Sequence, residues 1–523
     1  MPKHLLDIIR NLYDGDTYEL IDGTKQTGPI SPLKGVKQGC PLSPILFSLF
    51  VNDTPTIFND NVGAMAGNGQ TRVSNVMYAD DLTLLTNCAI EMQNLLDKLS
   101  KYAKEKGLTV NVSKSKVMMF NGGEQTPEPK LTLEGIPLDV VSEFKYLGVV
   151  FNTSACMKRA AEYAARPLMA GIKRVNDLGE EYCVKDRPHA MLWLFQSFAL
   201  SAGMYGSQIW SNTHLKHLTK KNPHSNDDLT DIHRRHISFV KRVLGIKCSV
   251  GNYVALCEAG QLPMHYYWMK SVIKFWNSMV STCEKQKGIL KDILFADLEL
   301  TRIRAQCWTR DVIDTLESLN ISRSDSIATN IYGGTGEREL RIVDWELVQK
   351  AFFTQHLSSC YPTQQVDPRN PSLPSTGRKG ITYSYWMSDK WDGVNKPPLP
   401  PYLRFDLPRC VSRNMARFRT SSHYLTVETG RWKTPKTPYM DRICDLCDSG
   451  IIQDEKHVIF ECADPTLTNI RTHYSSIINQ ASNSEKPVSH LMNSEYDHQT
   501  PHMIHDISAY IVKRIDNHFF TSD

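Results

Sequence analysis

The chain has 523 residues, too many for one ordinary core and enough for roughly two to four domains. A hydrophobic share of 41% excludes a wholly disordered polymer, and a net charge of +4 fits a nucleic-acid partner without requiring one. The 13 cysteines are scattered and odd in number, which argues against a disulfide framework, and "MPKHLLDIIRNLYDGD" has no apolar signal region, so reduced thiols in cytoplasm or nucleus are expected.

In chain order, Leu5, Leu6, Ile8, Ile9 and Leu12 return to one face at helical spacing. A turn-rich "IDGTKQTGP" follows. "GVKQGCPLSPILFSLFVND" then sets a glycine- and proline-bound loop before an apolar helix from Ile45 to Val51. Residues 72–86 read as two short strands around "YADD". Residues 90–106 form an amphipathic helix on Met92, Leu95, Leu96, Leu99 and Ala103, closed by Gly107. "LTVNVSKSKVMMF" reads as one strand, and "LTLEGIPLDVVSEFKYLGVVF" as strands around a glycine turn.

From about 155 to 360 the pattern is mostly helical. "MLWLFQSFALSAGMYGSQIW" is long enough to span a membrane, but its glutamines, serines and glycines favour a buried helix instead. Residues 231–247 are basic and amphipathic, and proline concentrates from Pro362 to Pro401 as in a linker.

Two adjacent carboxylates on a hairpin repel each other unless they are solvated or a cation neutralises them. Hard oxygen donors suit Mg²⁺. The plainer reading of Asp80–Asp81 is an exposed turn, because aspartate is a common turn residue. The apolar flanks, the upstream "GVKQGCPLSP" and the downstream lysines favour a site.

These residues together resemble the reverse transcriptases of non-LTR (LINE-type) retrotransposons. "GVKQGCPLSPILFSLFVND" is similar to a palm motif of that family, "YADD" to its metal hairpin, "GLTVNVSKSKVMMF" to the next motif, and "FKYLGVVF" to the hairpin that grips the primer. The resemblance implies an α+β fold: a partial right-hand polymerase palm, then a mostly helical thumb and C-terminal region. It implies catalytic roles for Asp80, Asp81 and Lys114, with both aspartates on Mg²⁺ and Lys114 as an acid toward pyrophosphate. Gln38, Gly39, Pro41 and Tyr78 would meet template and nucleotide, and Phe144, Tyr146, Leu147 and Gly148 the primer. The implied partners are an RNA template, a DNA primer or target, and deoxynucleotides, with no membrane. "MYGSQIW" looks like the family's thumb motif, and the Arg234–Arg235 and Lys241–Arg242 pairs would touch phosphates.

A two-ion site uses carboxylates beyond one turn. The family takes a further aspartate from an earlier strand, in a motif like "AFD". Of the acids before Gln38, Asp7 lies in a helical pattern, Asp14 and Asp16 follow "NLY", and none follows an apolar strand. An N-terminally truncated domain, inactive alone, is therefore expected.

"CDLCDSGIIQDEKHVIFEC" spaces Cys444, Cys447, His457 and Cys462 as C-x2-C-x9-H-x4-C, which suits a closed tetrahedral zinc-knuckle-like unit. Its plainer reading is four unrelated core residues. His423 and His473 are secondary candidate ligands; Arg417, Arg419, Arg431 and Trp432 are candidate nucleic-acid contacts.

The expected organisation is partial fingers and palm over 1–151, a thumb-like region over 152–250 and a helical connector over 251–360. A proline-rich linker over 361–401 and a C-terminal region over 402–523, with the zinc unit at 444–462, complete it. The rival readings are a non-catalytic RNA- or DNA-binding protein and, well behind, a metal-dependent hydrolase.

Overall fold

The structure is a computed structural model and describes residues 2–58, 62–66, 71–120, 129–215, 230–285, 288–302, 307–322, 327, 340–354, 382–383, 386, 396–494 and 498–520. It divides into two compact units, Met1–Val117 with Pro127–Val140, and Met118–Thr126 with Val141–Asp523.

The first unit is α+β. Its helices include Lys3–Tyr13, Ser43–Phe50 and Ala89–Lys106. Pro44 opens the second of these, where its missing N–H costs nothing. The third buries Leu95, Leu96 and Ala103 and ends on Gly107 at φ +65°. That left-handed cap lets Leu108 N–H reach back to the Ala103 carbonyl at 2.8 Å.

The strands pair only two by two. Asn75–Tyr78 and Asp81–Leu84 form one hairpin, and Thr132–Leu133 and Ile136–Pro137 another around Glu134–Gly135. Leu96, Leu131, Leu133 and Leu138 make a small core. The Lys3–Tyr13 helix buries no residue, and its Leu5, Leu6, Ile8 and Leu12 face solvent.

The single strand expected over 108–120 is not formed. Only Lys116–Val117 pairs, in parallel with Asp139–Val140. Asn111 is the reason. Its Oδ1 accepts from the Lys114 N–H at 3.1 Å and its carbonyl from the Ser115 N–H at 3.1 Å, so the side chain closes a local turn in place of a ladder.

The second unit begins with the hairpin Glu143–Tyr146 and Val149–Asn152 and is otherwise mostly helical among the described residues. One apolar cluster runs through it from Ala160 to Ile511. The 158–181 helix packs closely on residues 195–200: a Cβ at Gly171 would lie 2.5 Å from Ala199 Cα. The 191–210 stretch is not one buried helix. An α-helix Pro188–Leu194 passes into a π-helical turn, Phe195–Leu200, then breaks at Gly206. Phe195 and Ala199 are buried, whereas Trp193 and Tyr205 face solvent. No helix among the described residues is long and apolar enough to cross a membrane.

Most of the proline-rich 361–401 stretch lies outside the described residues. It is anchored at Tyr383 and, just past its end, at Tyr402: both hydroxyls donate to the buried Glu258 carboxylate, at 2.9 and 2.7 Å.

Candidate active site and metal centre

In the 75–84 hairpin, Tyr78 pairs with Asp81 and the connecting turn is Ala79–Asp80. Ala79 adopts φ +53°, a left-handed backbone that a side chain tolerates only at a cost. The turn carries Asp80 and Asp81 next to each other in sequence and both exposed. Among the described residues no lysine or arginine pairs with either. The donor set therefore fits a hard divalent cation, with two oxygens offered and no competing protein cation. It is also short, because no third acidic, histidine or cysteine ligand joins the pair among the described residues.

The "GVKQGCPLSP" loop is tied to the first helix. Lys37 pairs with Asp16 and lies over the Tyr13 ring at 5.2 Å, while Ser43 Oγ donates to the Lys37 carbonyl at 2.5 Å. Gln38, Gly39 and Pro41 are exposed on it, with open space where a Cβ at Gly39 would stand. Tyr78 is 65% exposed. Lys116 is held by Asp139 at 2.5 Å; Lys114 is exposed and has no ion pair among the described residues.

In the second unit, Leu147 and Gly148 turn the 143–152 hairpin at φ +45° and +82°. Two positive φ values in a two-residue loop match the strand twist, but leucine carries strain there. Tyr205 steadies the turn by donating its hydroxyl to the Leu147 carbonyl at 2.8 Å. Phe144 and Leu147 are part-exposed, and Tyr146 turns its hydroxyl inward.

The ligand atoms of Cys444, Cys447, His457 and Cys462 all lie within 4.8 Å of one another. Cys444 and Cys462 sulfurs are 3.8 Å apart, and Cys447 Sγ is 3.3 Å from His457 Nε2. A tetrahedron with Zn–S bonds of about 2.3 Å has S–S edges of roughly 3.8 Å. An antiparallel bridge between Ile443 and Ile452 shapes the knuckle, and a π-helical turn, His457–Glu461, carries His457 and leads into Cys462.

Burial pushes Cys444 up and Cys462 up to about 12. Cys447 falls to about 6 although burial opposes it, because Ser449 and His457 hydrogen-bond its sulfur. One thiolate is thus ready, and a bound cation would make the other two favourable. Glu461 stands 3.8 Å from His457 Nδ1, and Gln453 Nε2 approaches Cys444 Sγ at 3.6 Å. These supporting groups are absent from the motif spacing. His423 is not a ligand: its Nε2 bonds Glu455 at 2.8 Å. His473 stands outside the cluster, edge-on to Tyr474.

A family model described as reverse transcriptase (RNA-dependent DNA polymerase) matches residues 1–151. Residues 1–151 are a reverse transcriptase domain. Its curated relatives include proteins of the non-LTR retrotransposons R2 and jockey. The chain is 31% identical over 151 residues to a retrovirus-related Pol polyprotein from the type-1 retrotransposable element R2 of Popillia japonica, covering 27% of this chain and 25% of that protein. It is 32% identical over 164 residues to the Pol polyprotein of the type-2 element R2DM of Drosophila melanogaster, covering 29% and 15%. It is 29% identical over 183 residues to the RNA-directed DNA polymerase from mobile element jockey of Drosophila funebris, covering 34% and 19%. The chain thus spans a quarter or less of these relatives.

Within the reverse transcriptase domain, the two strands expected around "YADD" form the 75–84 hairpin. Outside it, the basic residues sort differently from the expectation. Arg419 is 1% exposed and bound to Glu258, so it contacts no nucleic acid. Lys241 is spent on the Cys248 and Val250 carbonyls and on Asn252, at 2.8, 2.6 and 2.9 Å. Arg235 pairs with Asp231 at 2.7 Å and Arg431 with Glu428 at 3.3 Å. Arg234, Arg242 and Trp432 remain exposed.

Proposed function

We propose that the chain serves RNA-templated DNA synthesis of a non-LTR retrotransposon, holding template and primer around a Mg²⁺ site at Asp80 and Asp81. The observation that carries this is the exposed aspartate pair, met by no lysine or arginine among the described residues, on a turn of a reverse transcriptase domain. Mg²⁺ bound there would lower the charge on a nucleotide's phosphates and favour attack by a primer hydroxyl. Asp80 and Asp81 would hold that ion, and Gln38, Gly39, Pro41 and Tyr78 would lie against the templating base and nucleotide. Lys114, unengaged by any carboxylate among the described residues, would give a proton to pyrophosphate. The 143–152 hairpin would bear on the primer through Phe144, Tyr146, Leu147 and Gly148, with 152–250 as thumb and 251–360 as connector. Beyond the 361–401 stretch, residues 402–523 would carry a structural Zn²⁺ on Cys444, Cys447, His457 and Cys462.

A second reading has its own support: with no third ligand beside the aspartates among the described residues, these 523 residues bind template and primer without extending it. Primer extension on RNA with Mg²⁺, beside Asp80→Asn, separates the two. Extension that the substitution abolishes supports synthesis; binding without extension supports the second reading.

A further inference from the structure

The helix Arg409–Arg419 places Arg409, Arg413 and Arg417 one turn apart, roughly 6 Å each, along one face. This face meets the end of the helix Asp231–Leu244. Arg409 donates to the Arg242 carbonyl and Arg417 to the Gly245 carbonyl, each at 2.9 Å. Arg413 lies flat across Gly245, where a Cβ would come within 2.7 Å of its Cγ. Arg409 and Arg417 are half-buried, with Arg409 Nη1 covered and Arg417 also bonded to Tyr424, but Arg413 is exposed, and each guanidinium has five donors, more than these contacts use.

Among the described residues no carboxylate lies within ion-pair reach of Arg242, Arg409, Arg413 or Arg417. Burial lowers the pKa of both Arg409 and Arg417, and the charge of Arg413 lowers both further, while Asp186 offsets part of this at Arg409 and the Tyr424 hydroxyl, bonded to Arg417, part of it there. Three guanidiniums held this close gain from an anion. At the same end, Lys247 lies 3.2 Å over the Trp432 ring and 4.1 Å from Tyr424, yet Trp432 stays 43% exposed. The open part of its indole offers a stacking surface beside the cations.

We propose that Arg409, Arg413 and Arg417, with Lys247 and Trp432 at one end, form a track for single-stranded nucleic acid. The arginines hold successive phosphates and Trp432 stacks an unpaired base. A base inside a duplex cannot lie on an exposed indole, which selects a single strand. This track rests on the reading of the chain as a nucleic-acid protein, but it is independent of the Asp80–Asp81 site.

The test uses the full chain and three fluorescent probes: a 20-nucleotide RNA, a DNA of the same sequence and a blunt DNA duplex. Arg413→Gln should flatten the log–log salt dependence of single-strand binding by about 0.7, a roughly 2.5-fold smaller loss across a fourfold salt range. Arg413→Lys should restore the slope. Trp432→Ala should weaken single-strand binding about fivefold or more with the slope kept. Both side chains are exposed, so zinc content should match wild type. Unchanged affinity and slope in both variants would overturn the track, as would equal losses on the duplex. Asp80→Asn should leave this binding intact even if primer extension is lost; a matching loss in Asp80→Asn would also overturn it.

Discussion

The Arg419 guanidinium donates to Glu258 Oε1 at 2.7 Å across 161 residues of sequence, with 1% and 0% of the two side chains exposed. The same carboxylate takes the hydroxyls of Tyr383 and Tyr402, and burial beside it pushes both phenols up. Arg419 also donates to Asn493 Oδ1 at 3.1 Å. One buried charge pair thus ties the Asn252–Glu258 helix, the segment before residue 403 and the C-terminal helices. Arg419→Met should destabilise the second unit by about 3–5 kcal/mol, because Glu258 stays buried without its cation. Adding Glu258→Gln should recover part of that loss, read from urea midpoints of the single and double variants.

The zinc proposal predicts one Zn²⁺ per chain, falling to none in Cys444→Ser and in His457→Ala. His423→Ala should keep the metal, because His423 bonds Glu455 instead. Zinc loss should also lower the melting temperature, since site and fold form together.

His236 gives a pH dependence. It is buried, stacks on Phe195 at 5.0 Å and has no hydrogen bond to either ring nitrogen among the described residues; desolvation lowers it to about 4. Above an ordinary value of about 6.5 it is neutral both folded and unfolded. Between about 6.5 and 4 the unfolded chain takes up a proton that the fold refuses, so stability falls as pH falls. The loss is about 3 kcal/mol in full. His236→Phe should flatten that part of the stability curve, measured by urea melts at several pH values.

The 143–152 turn depends on Tyr205. Tyr205→Phe should cost about 1 kcal/mol by releasing the Leu147 carbonyl. Gly148→Ala should cost more, because φ is +82° there and the new Cβ would stand 2.5 Å from the Tyr205 ring. Leu147→Gly should offset part of the Tyr205→Phe loss by relieving the left-handed strain.

The elements read best from sequence are those whose signals are local. Leu95, Leu96 and Gly107 mark a helix and its end within one turn of themselves, and "YADD" marks a hairpin between apolar runs. The Cys444, Cys447, His457 and Cys462 cluster is equally legible, because two close pairs fix two knuckles. The 108–120 stretch misled because alternating apolar residues outweigh one asparagine in the pattern, whereas in the fold Asn111 decides the turn. Arg419 misled for a different reason: a charge is read as surface unless its partner is seen, and Glu258 is 161 residues away. Of the stripe Arg409, Arg413 and Arg417 only Arg417 stands out in the sequence, since the setting of the three on Gly245 and its helix end is a tertiary contact.

The central claim is that residues 1–151 hold template and primer at the Asp80–Asp81 turn, with a metal site that these carboxylates do not complete alone. The most direct measurement places the full chain on an RNA template with an annealed DNA primer, Mg²⁺ and deoxynucleotides, and follows retention and primer length together. The account predicts retention that Mg²⁺ strengthens and that Asp80→Asn weakens; nucleotides added by wild type and not by Asp80→Asn would mark synthesis by these residues, and retention with none added would mark the second reading. Retention indifferent to both Mg²⁺ and Asp80→Asn, or failure to retain the template–primer, would contradict a metal and template site at this turn.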